Sequence, residues 1–502
     1  MIARGPHRLA QASTIDCEVL IVGSGAGGAV IADVLTRAGR DVVMIEEGPY
    51  IDHENAPSSV PQSVSRLWRN GGITVAMGTP PIAYAEGRCV GGSTEINSAI
   101  FQRTPGELLD RWGADYHIDD FGESALRPYY EYAESIVNAS ITAPPFGAVS
   151  EVLEQGARKL GWQVETLARA QRECVGTNLC AAACPTGGKQ SMTATLIPAA
   201  LARGLRLIAQ CRARRLWRDG GRVLGVKAVA HDVYGTHYIV TIRARTVFLC
   251  AGAIHTPALL QRSGIRDNVG TQLRLHPTIR LLALFDRELD AHLSRLPLYA
   301  VTEFMPEQRF GGSFFLPGFF GMSLAEDWPQ RAWLLPHWRR CGSYYAMVRS
   351  HGSGTVRSLP VGTEPLVRYQ LDDRDWRNLG QGAARLARLL FAAGATHVYP
   401  SVSGHAGWTD ASQCDEWMET DLPRKRTNLM SIHLFGSCVP GADRARCATD
   451  SYGRVYEMDN LIVADASQIP EAPGVNPQAT VMALARRAAE AYLARGDSQR
   501  TR

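Results

Sequence analysis

The hydrophobic positions of the chain open with a strand, turn, helix, turn and strand pattern. The apolar run Val19 to Val22 ends in Gly23-Ser24-Gly25-Ala26-Gly27-Gly28, and a helical segment then closes at Gly39 before a second run, Val42 to Ile45. Short apolar runs bounded by glycine predict buried strands, and the longer periodic segment between them predicts an amphipathic helix. Further along, residues 205–228 predict two short strands around Gly220 and Gly221, and Thr246 to Cys250 predicts a buried strand ending in Ala251, Gly252 and Ala253. Leu461 to Val463 reads as another strand, and the Ala- and Arg-rich Gln478 to Tyr492 as a helix. Residues 286–429 differ in character: Phe310, Phe314, Phe315, Phe319, Phe320 and several Trp and Tyr residues crowd there and mark a second lobe. No internal repeat or low-complexity tract interrupts the chain.

The first of these units has the spacing of a βαβ dinucleotide fingerprint. Gly23 permits the tight turn, Gly25 lets the backbone approach a pyrophosphate, and Gly28 permits close packing of the helix, whose N-terminal N–H groups face the phosphates. Glu46, at the end of the second strand, stands where a carboxylate accepts ribose hydroxyls, and an acid there disfavours a 2′-phosphate.

Composition narrows the partners. At 502 residues the chain is long enough for two lobes, and 45% apolar against 20% charged residues exclude a disordered or fibrous chain. A formal net charge of +4 over this length is far below what nucleic-acid binding needs, so a small molecule is the expected partner. No run of roughly 18 to 20 apolar residues predicts a membrane span. Met1 to Cys17 contains Arg4, His7 and Arg8 and lacks the apolar centre of a signal peptide, which gives a cytoplasmic expectation. The 11 scattered cysteines fit reduced thiols better than a disulfide framework.

Several ordered motifs resemble the glucose-methanol-choline (GMC) family of FAD-dependent oxidoreductases, over nearly the whole chain. Beyond the fingerprint, Gly87-Arg88-Cys89-Val90-Gly91-Gly92-Ser93-Thr94-Glu95-Ile96-Asn97 is similar to the family's second glycine-rich loop. VFLCAGAIHTPALLQRSGI at 247–265 resembles its second signature, which Leu273 to Pro277 extends. His433 to Asn476, with YGRV at 452–455, NLIVADAS at 460–467 and GVNP at 474–477, is especially similar to the cholesterol oxidase and long-chain alcohol oxidase branch.

The resemblance implies an α/β fold, with a Rossmann-like FAD-binding domain from residues 14–105, 190–285 and 430–502. A second, α+β substrate domain would come from 106–189 and 286–429. It implies noncovalent FAD, because members that attach the flavin through histidine carry that residue in or beside the second glycine-rich loop, and none is present here. The expected cofactor contacts are Gly23, Ser24, Gly25, Gly28, Glu46, Arg88, Gly91, Gly92, Ser93, Asn97, Ala213, Ala251, Gly252, Asp465, Asn476 and Pro477. For Asp465 a ribityl contact stands beside a turn-forming role. Pro477 starts the C-terminal helix, whose positive end would favour a reduced, negative flavin.

The implied reaction is oxidation of a primary or secondary alcohol to an aldehyde or ketone, with hydride transfer to flavin N5 and electrons passed on to oxygen or another acceptor. Among 13 histidines, the resemblance selects His433 as the base that takes the hydroxyl proton and Asn476 as the residue that orients the oxygen; His276 matches a family position of more structural kind. A sugar or aminoglycoside hydroxyl is the alternative substrate, and a hydroxynitrile lyase-like or isomerase activity the alternative reaction. Cys174, Cys180, Cys184 and Pro185 fit three of the four cysteines of a ferredoxin run, with Thr177 in place of the fourth. Structural thiols are the preferred reading over a cluster, no metal is expected, and Lys189 reads as a loop or flavin-side contact.

Overall fold

The structure, a computed structural model, describes residues 11–142, 144–232, 234–294 and 298–500. The reading of Met1 to Cys17 as a segment without a signal peptide lies largely outside them. Two sheets organise the chain. In the first, strands run in the order Arg206–Ile208, Val42–Ile45, Ser13–Val22, His237–Leu249, Arg222–His231, Cys211–Asp219, with Leu461–Val463 beside the end of His237–Leu249. The pairs on either side of Ser13–Val22 are parallel, as a βαβ unit requires, and residues 211–249 form an antiparallel meander. The long strand His237–Leu249 serves both: its first half pairs with Arg222–His231, and Val247 to Leu249 pair with Leu461 to Val463.

Helix Ala26–Arg37 follows the glycine turn, with Gly25 as N-cap. The expectation of an amphipathic helix is corrected here. All but one residue from Gly27 to Thr36 are buried, because helices Leu196–Ala202 and Gln478–Arg500 cover the face turned away from the sheet. Close approach is enforced by small residues: a Cβ at Gly28 would stand 2.0 Å from the Gly23 carbonyl oxygen, and one at Gly27 2.0 Å from that of Ala464.

The second sheet runs Thr74–Ala76, Ile82–Tyr84, Leu429–Ser431, Thr278–Phe285, Cys341–Val348, Gln308–Gly312, Tyr299–Val301, Val164–Thr166, with Ala395–Pro400 also on Thr278–Phe285. Helix Asp373–Ala392, started by a capping box at Asp372 and Asp375, packs its apolar stripe on this sheet. The lobes are therefore divided differently from the sequence-based boundaries. Residues 74–84 and 278–285 pair in the second sheet, whereas helices Gly106–Asp115 and Glu123–Val137 bury Leu109, Trp112 and Tyr130 in the core of the first lobe. A single strand of a few residues carries too little pattern to say which of two sheets it will join. Among the described residues no helix is long and apolar enough to cross a membrane.

This packing gives opposite expectations for two glycines. Gly28→Ala overpacks the helix against the turn and should cost about 1 to 3 kcal/mol, seen as a lower denaturation midpoint. Gly321→Ala, inside helix Pro317–Ala325 with open space around it, should raise stability by about 0.5 to 1 kcal/mol.

Candidate active site

A cavity of about 380 Å³ lies between the two lobes. One end is floored by the carboxyl edge of the first sheet, where Gly23, Ser24 and Gly25 meet Gly92 and Ser93 of the second glycine-rich loop. A Cβ at Gly25 would find nothing nearer than Gly92 Cα at 3.9 Å, so the space above this glycine belongs to the cavity. Glu46 is buried beside it. Its Oε2 accepts from Ser24 N at 3.1 Å and Ser24 Oγ at 2.8 Å, and its Oε1 accepts from Gly48 N at 3.0 Å. Burial, helped by neighbouring Glu47, pushes the Glu46 carboxyl up against these donors.

Next to Glu46, an ionic network continues along the wall. Burial opposes the charge on Glu47, yet Arg69, His255, Arg212 and Arg88 together hold its carboxyl down at about 2. Glu364 also pairs with Arg212 at 2.9 Å. Sequence reasoning missed Glu47, Trp68, Arg69, Arg212 and His255, all of which line the cavity; the doubled acid Glu46-Glu47 was the available signal.

Of the expected cofactor contacts, Gly23, Ser24, Gly25, Glu46, Gly92, Ser93, Asn97, Ala213, Ala251, Gly252, Asp465, Asn476 and Pro477 line this cavity. Gly28, Arg88 and Gly91 are not among its lining residues. Gly28 acts in helix packing, Gly91 N donates to Ser24 Oγ at 3.1 Å, and the Arg88 side chain is 44% exposed and turned toward Glu47 at 3.6 Å. The Asp465 carboxylate accepts from Gly252 N, Thr256 Oγ1, Ser467 N and Ser467 Oγ. The turn-forming alternative thus describes its side chain, which ties two segments of the cavity wall together.

The other end of the cavity is lined by Phe314, Phe315, Phe319, Phe320, Met430 and Ile432, with Ser313, Ser343 and Arg280 among them. Arg280 is neutralised by an ion pair with Glu326. At the junction of the two ends stand His433 and Asn476, brought together from segments 43 residues apart: His433 Nε2 and Asn476 Nδ2 are 3.2 Å from each other. His433 Nδ1 lies 2.9 Å from Nδ1 of His276, and Phe435 packs on both rings. Burial, reinforced by Arg309, pushes the His433 ring down to about 3, so it is neutral at physiological pH. Pro477 O accepts from Val481 N at 3.0 Å, which places Asn476 immediately before the C-terminal helix.

Cys174, Cys180 and Cys184 line a separate, much smaller cavity with Arg169 and Lys189. Cys180 Sγ accepts from Arg169 Nη2 at 3.1 Å and Cys184 Sγ from Lys189 N at 3.5 Å. Lys189 Nζ donates to the carbonyls of Glu95 and Cys180, which pins this loop to the second glycine-rich loop. Among the described residues no group of three or more His, Cys, Asp or Glu side chains is placed to hold a metal ion.

Comparison with known proteins now gives the class. Residues 64–278 and 349–485 match the N- and C-terminal models of the GMC oxidoreductases. An uncharacterised GMC-type oxidoreductase of Sinorhizobium fredii is 53% identical over 99% of this chain and 98% of its own length. A long-chain-alcohol oxidase of Arabidopsis thaliana is 28% identical over 95% of this chain and 67% of its own. The solved structure of pyridoxine 4-oxidase from Mesorbium loti superimposes with a TM-score of 0.71 at 18% identity, covering 95% of this chain and 99% of that one.

The chain belongs to the GMC oxidoreductase family, and its cofactor is FAD. The residues present fit that group: a glycine-lined cradle at a helix N-terminus, a buried carboxylate beside it, and an open space running from there to the histidine–asparagine pair. Gly25→Val should give folded but colourless protein, since the added side chain fills the cradle; bound flavin at wild-type stoichiometry would contradict the placement. Acid precipitation of the wild type should leave the yellow colour in the supernatant, as noncovalent attachment requires.

Proposed function

We propose that the protein oxidises the CH–OH group of an apolar primary or secondary alcohol to an aldehyde or ketone. The observation that carries this reading is the position of His433 and Asn476, 3.2 Å apart, where the phenylalanine-lined end of the cavity meets the glycine-lined end. Bound FAD supplies the hydride acceptor, and oxygen or another acceptor takes the electrons on. The chain's own residues do the rest. The phenylalanines exclude water and bury the carbon skeleton, Asn476 and His433 hold the reacting oxygen, and Gly23, Gly25, Glu46 and Gly92 hold the cofactor. The likeness to a long-chain-alcohol oxidase supports an extended apolar substrate. Arg280 in this wall is paired to Glu326, which leaves the phenylalanines to set the character of the wall.

Anaerobic mixing with long-chain primary alcohols, aromatic alcohols and sugars tests the proposal. The yellow absorbance should bleach with the apolar alcohols; a lyase or isomerase would turn over substrate with the colour intact. His433→Ala and Asn476→Ala should each keep FAD and slow bleaching about 10² to 10³-fold, the cost of losing a donor to a developing oxyanion. Wild-type bleaching rates in either variant would remove that residue from the site.

A further inference from the structure

The loop at 174–189 holds chemistry that the alcohol reaction does not use. Cys174, Cys180 and Cys184 line a cavity of about 10 Å³ together with Arg169, Asn178 and Thr186. That volume has room for one water-sized molecule. Two of the lining residues carry unmet hydrogen-bonding capacity. Arg169 is 2% exposed and Asn178 4% exposed, and among the described residues Arg169 Nε and Asn178 Oδ1 have no hydrogen-bond partner. A buried donor and a buried acceptor left open around one cavity fit a small molecule that both accepts and donates, as hydrogen peroxide does.

The thiols differ in their surroundings. Cys180 is buried, and its Sγ accepts from Arg169 Nη2 at 3.1 Å. Cys184 is only partly buried and is followed by the exposed Pro185 and Thr186, so a solute can reach it. Its Sγ lies 3.4 Å from Thr186 Oγ1 and accepts from Lys189 N at 3.5 Å. Burial opposes charge on this sulfur, yet the Thr186 hydroxyl, the N–H groups of Lys189 and Thr186 and the Lys189 ammonium hold it below the ordinary thiol range. Burial instead pushes Cys17, Cys211, Cys341 and Cys414 up to about 12. The thiolate is the nucleophilic form, so these environments separate one reactive thiol from inert ones.

We infer that Cys184 is a peroxide-reactive thiol: hydrogen peroxide enters this cavity, is held by Arg169 and Asn178, and converts Cys184 to a sulfenic acid. The sulfur attacks one peroxide oxygen, and the S–O bond forms as the O–O bond breaks. The departing hydroxide takes up the thiol proton and leaves as water. Sulfur gives up two electrons and peroxide gains them. Hydrogen peroxide is the product of passing two electrons and two protons to oxygen, so turnover with oxygen as acceptor would supply it. The thiol cavity has this chemistry whatever alcohol the enzyme takes.

Lys189 couples the site to the cofactor end. Its N–H holds Cys184, and its Nζ donates to the carbonyls of Glu95 at 2.6 Å and Cys180 at 2.7 Å. Ala181, between the thiols, lines the main cavity, and its carbonyl accepts from Trp68 Nε1 at 3.1 Å. An oxygen on Cys184 Sγ disturbs the donors that now hold the sulfur, and the displacement passes through Lys189 to the second glycine-rich loop.

The test treats the FAD holoenzyme with hydrogen peroxide in the absence of any alcohol, traps sulfenic acid with a 1,3-dione and locates the label by peptide mass. Cys184 should be labelled at least tenfold faster than Cys174, which is also partly exposed. Equal labelling of the two would mean that exposure alone sets reactivity, and an unlabelled Cys184 would mean that the cavity holds an adventitious water only; either result would overturn the proposal. Thr186→Val, at an exposed position, removes the hydroxyl donor and should slow labelling of Cys184 threefold or more; an unchanged rate would overturn the donor assignment. Peroxide-treated wild type should release FAD at least threefold faster than untreated protein, a change reversed by a thiol reductant and absent in Cys184→Ser. FAD release that ignores oxidation of Cys184 would overturn the link to the cofactor.

Discussion

The whole architecture depends on backbone meeting backbone at the glycine turn. Helix Ala26–Arg37 lies so close to the first sheet that side chains at Gly27 and Gly28 would overlap carbonyl oxygens of Ala464 and Gly23. The second glycine-rich loop closes on the same place, with Gly92 and Gly25 almost in contact. Because these contacts leave no room for side chains, the helix N-terminus, the carboxyl ends of the parallel strands and the loop at 87–97 converge around one space. That convergence makes the nucleotide end of the cavity.

The second sheet gives the cavity its other chemistry. It contributes Ser343 and Arg280 directly and carries the aromatic segment that supplies Phe314 to Phe320. Its helix-covered face is a conventional core, in which Trp376, Leu379 and Ala383 of helix Asp373–Ala392 pack with Phe310 and Ala346. Neighbouring residues of one strand thus serve different ends: Phe310 is core, whereas Arg309 reaches Asn476. Alternation along a strand lets a single short segment support both stability and chemistry.

Electrostatics within the site are set by burial. Glu47 is kept ionised by a ring of arginines, while His433 is kept neutral by burial next to an arginine that has no counter-ion. The two ends of the cavity therefore differ in kind. The nucleotide end carries an ionic network around Glu47, and the other end holds His433 and Asn476 with the buried Arg309 behind them.

The sequence by itself determined the βαβ fingerprint, the second glycine-rich loop, the strand at 461–463, and His433 and Asn476 as residues of interest. The fingerprint rests on local chemistry, glycine where backbone approaches backbone, whereas the second loop, His433 and Asn476 were picked out by the resemblance of their motifs to a known family. Only the tertiary structure decided that residues 74–84 and 278–285 join the second sheet, that Arg88 turns toward Glu47, and that Glu47, Arg69 and His255 line the cavity. It also decided that Gly474, His276 and Arg309 join His433 and Asn476 in one hydrogen-bonded row. Arg309 lies more than a hundred residues from Asn476 in the chain, and no local pattern marks it. Hydrogen-bond direction belongs to a network of partners in space, and spacing along a chain cannot encode it.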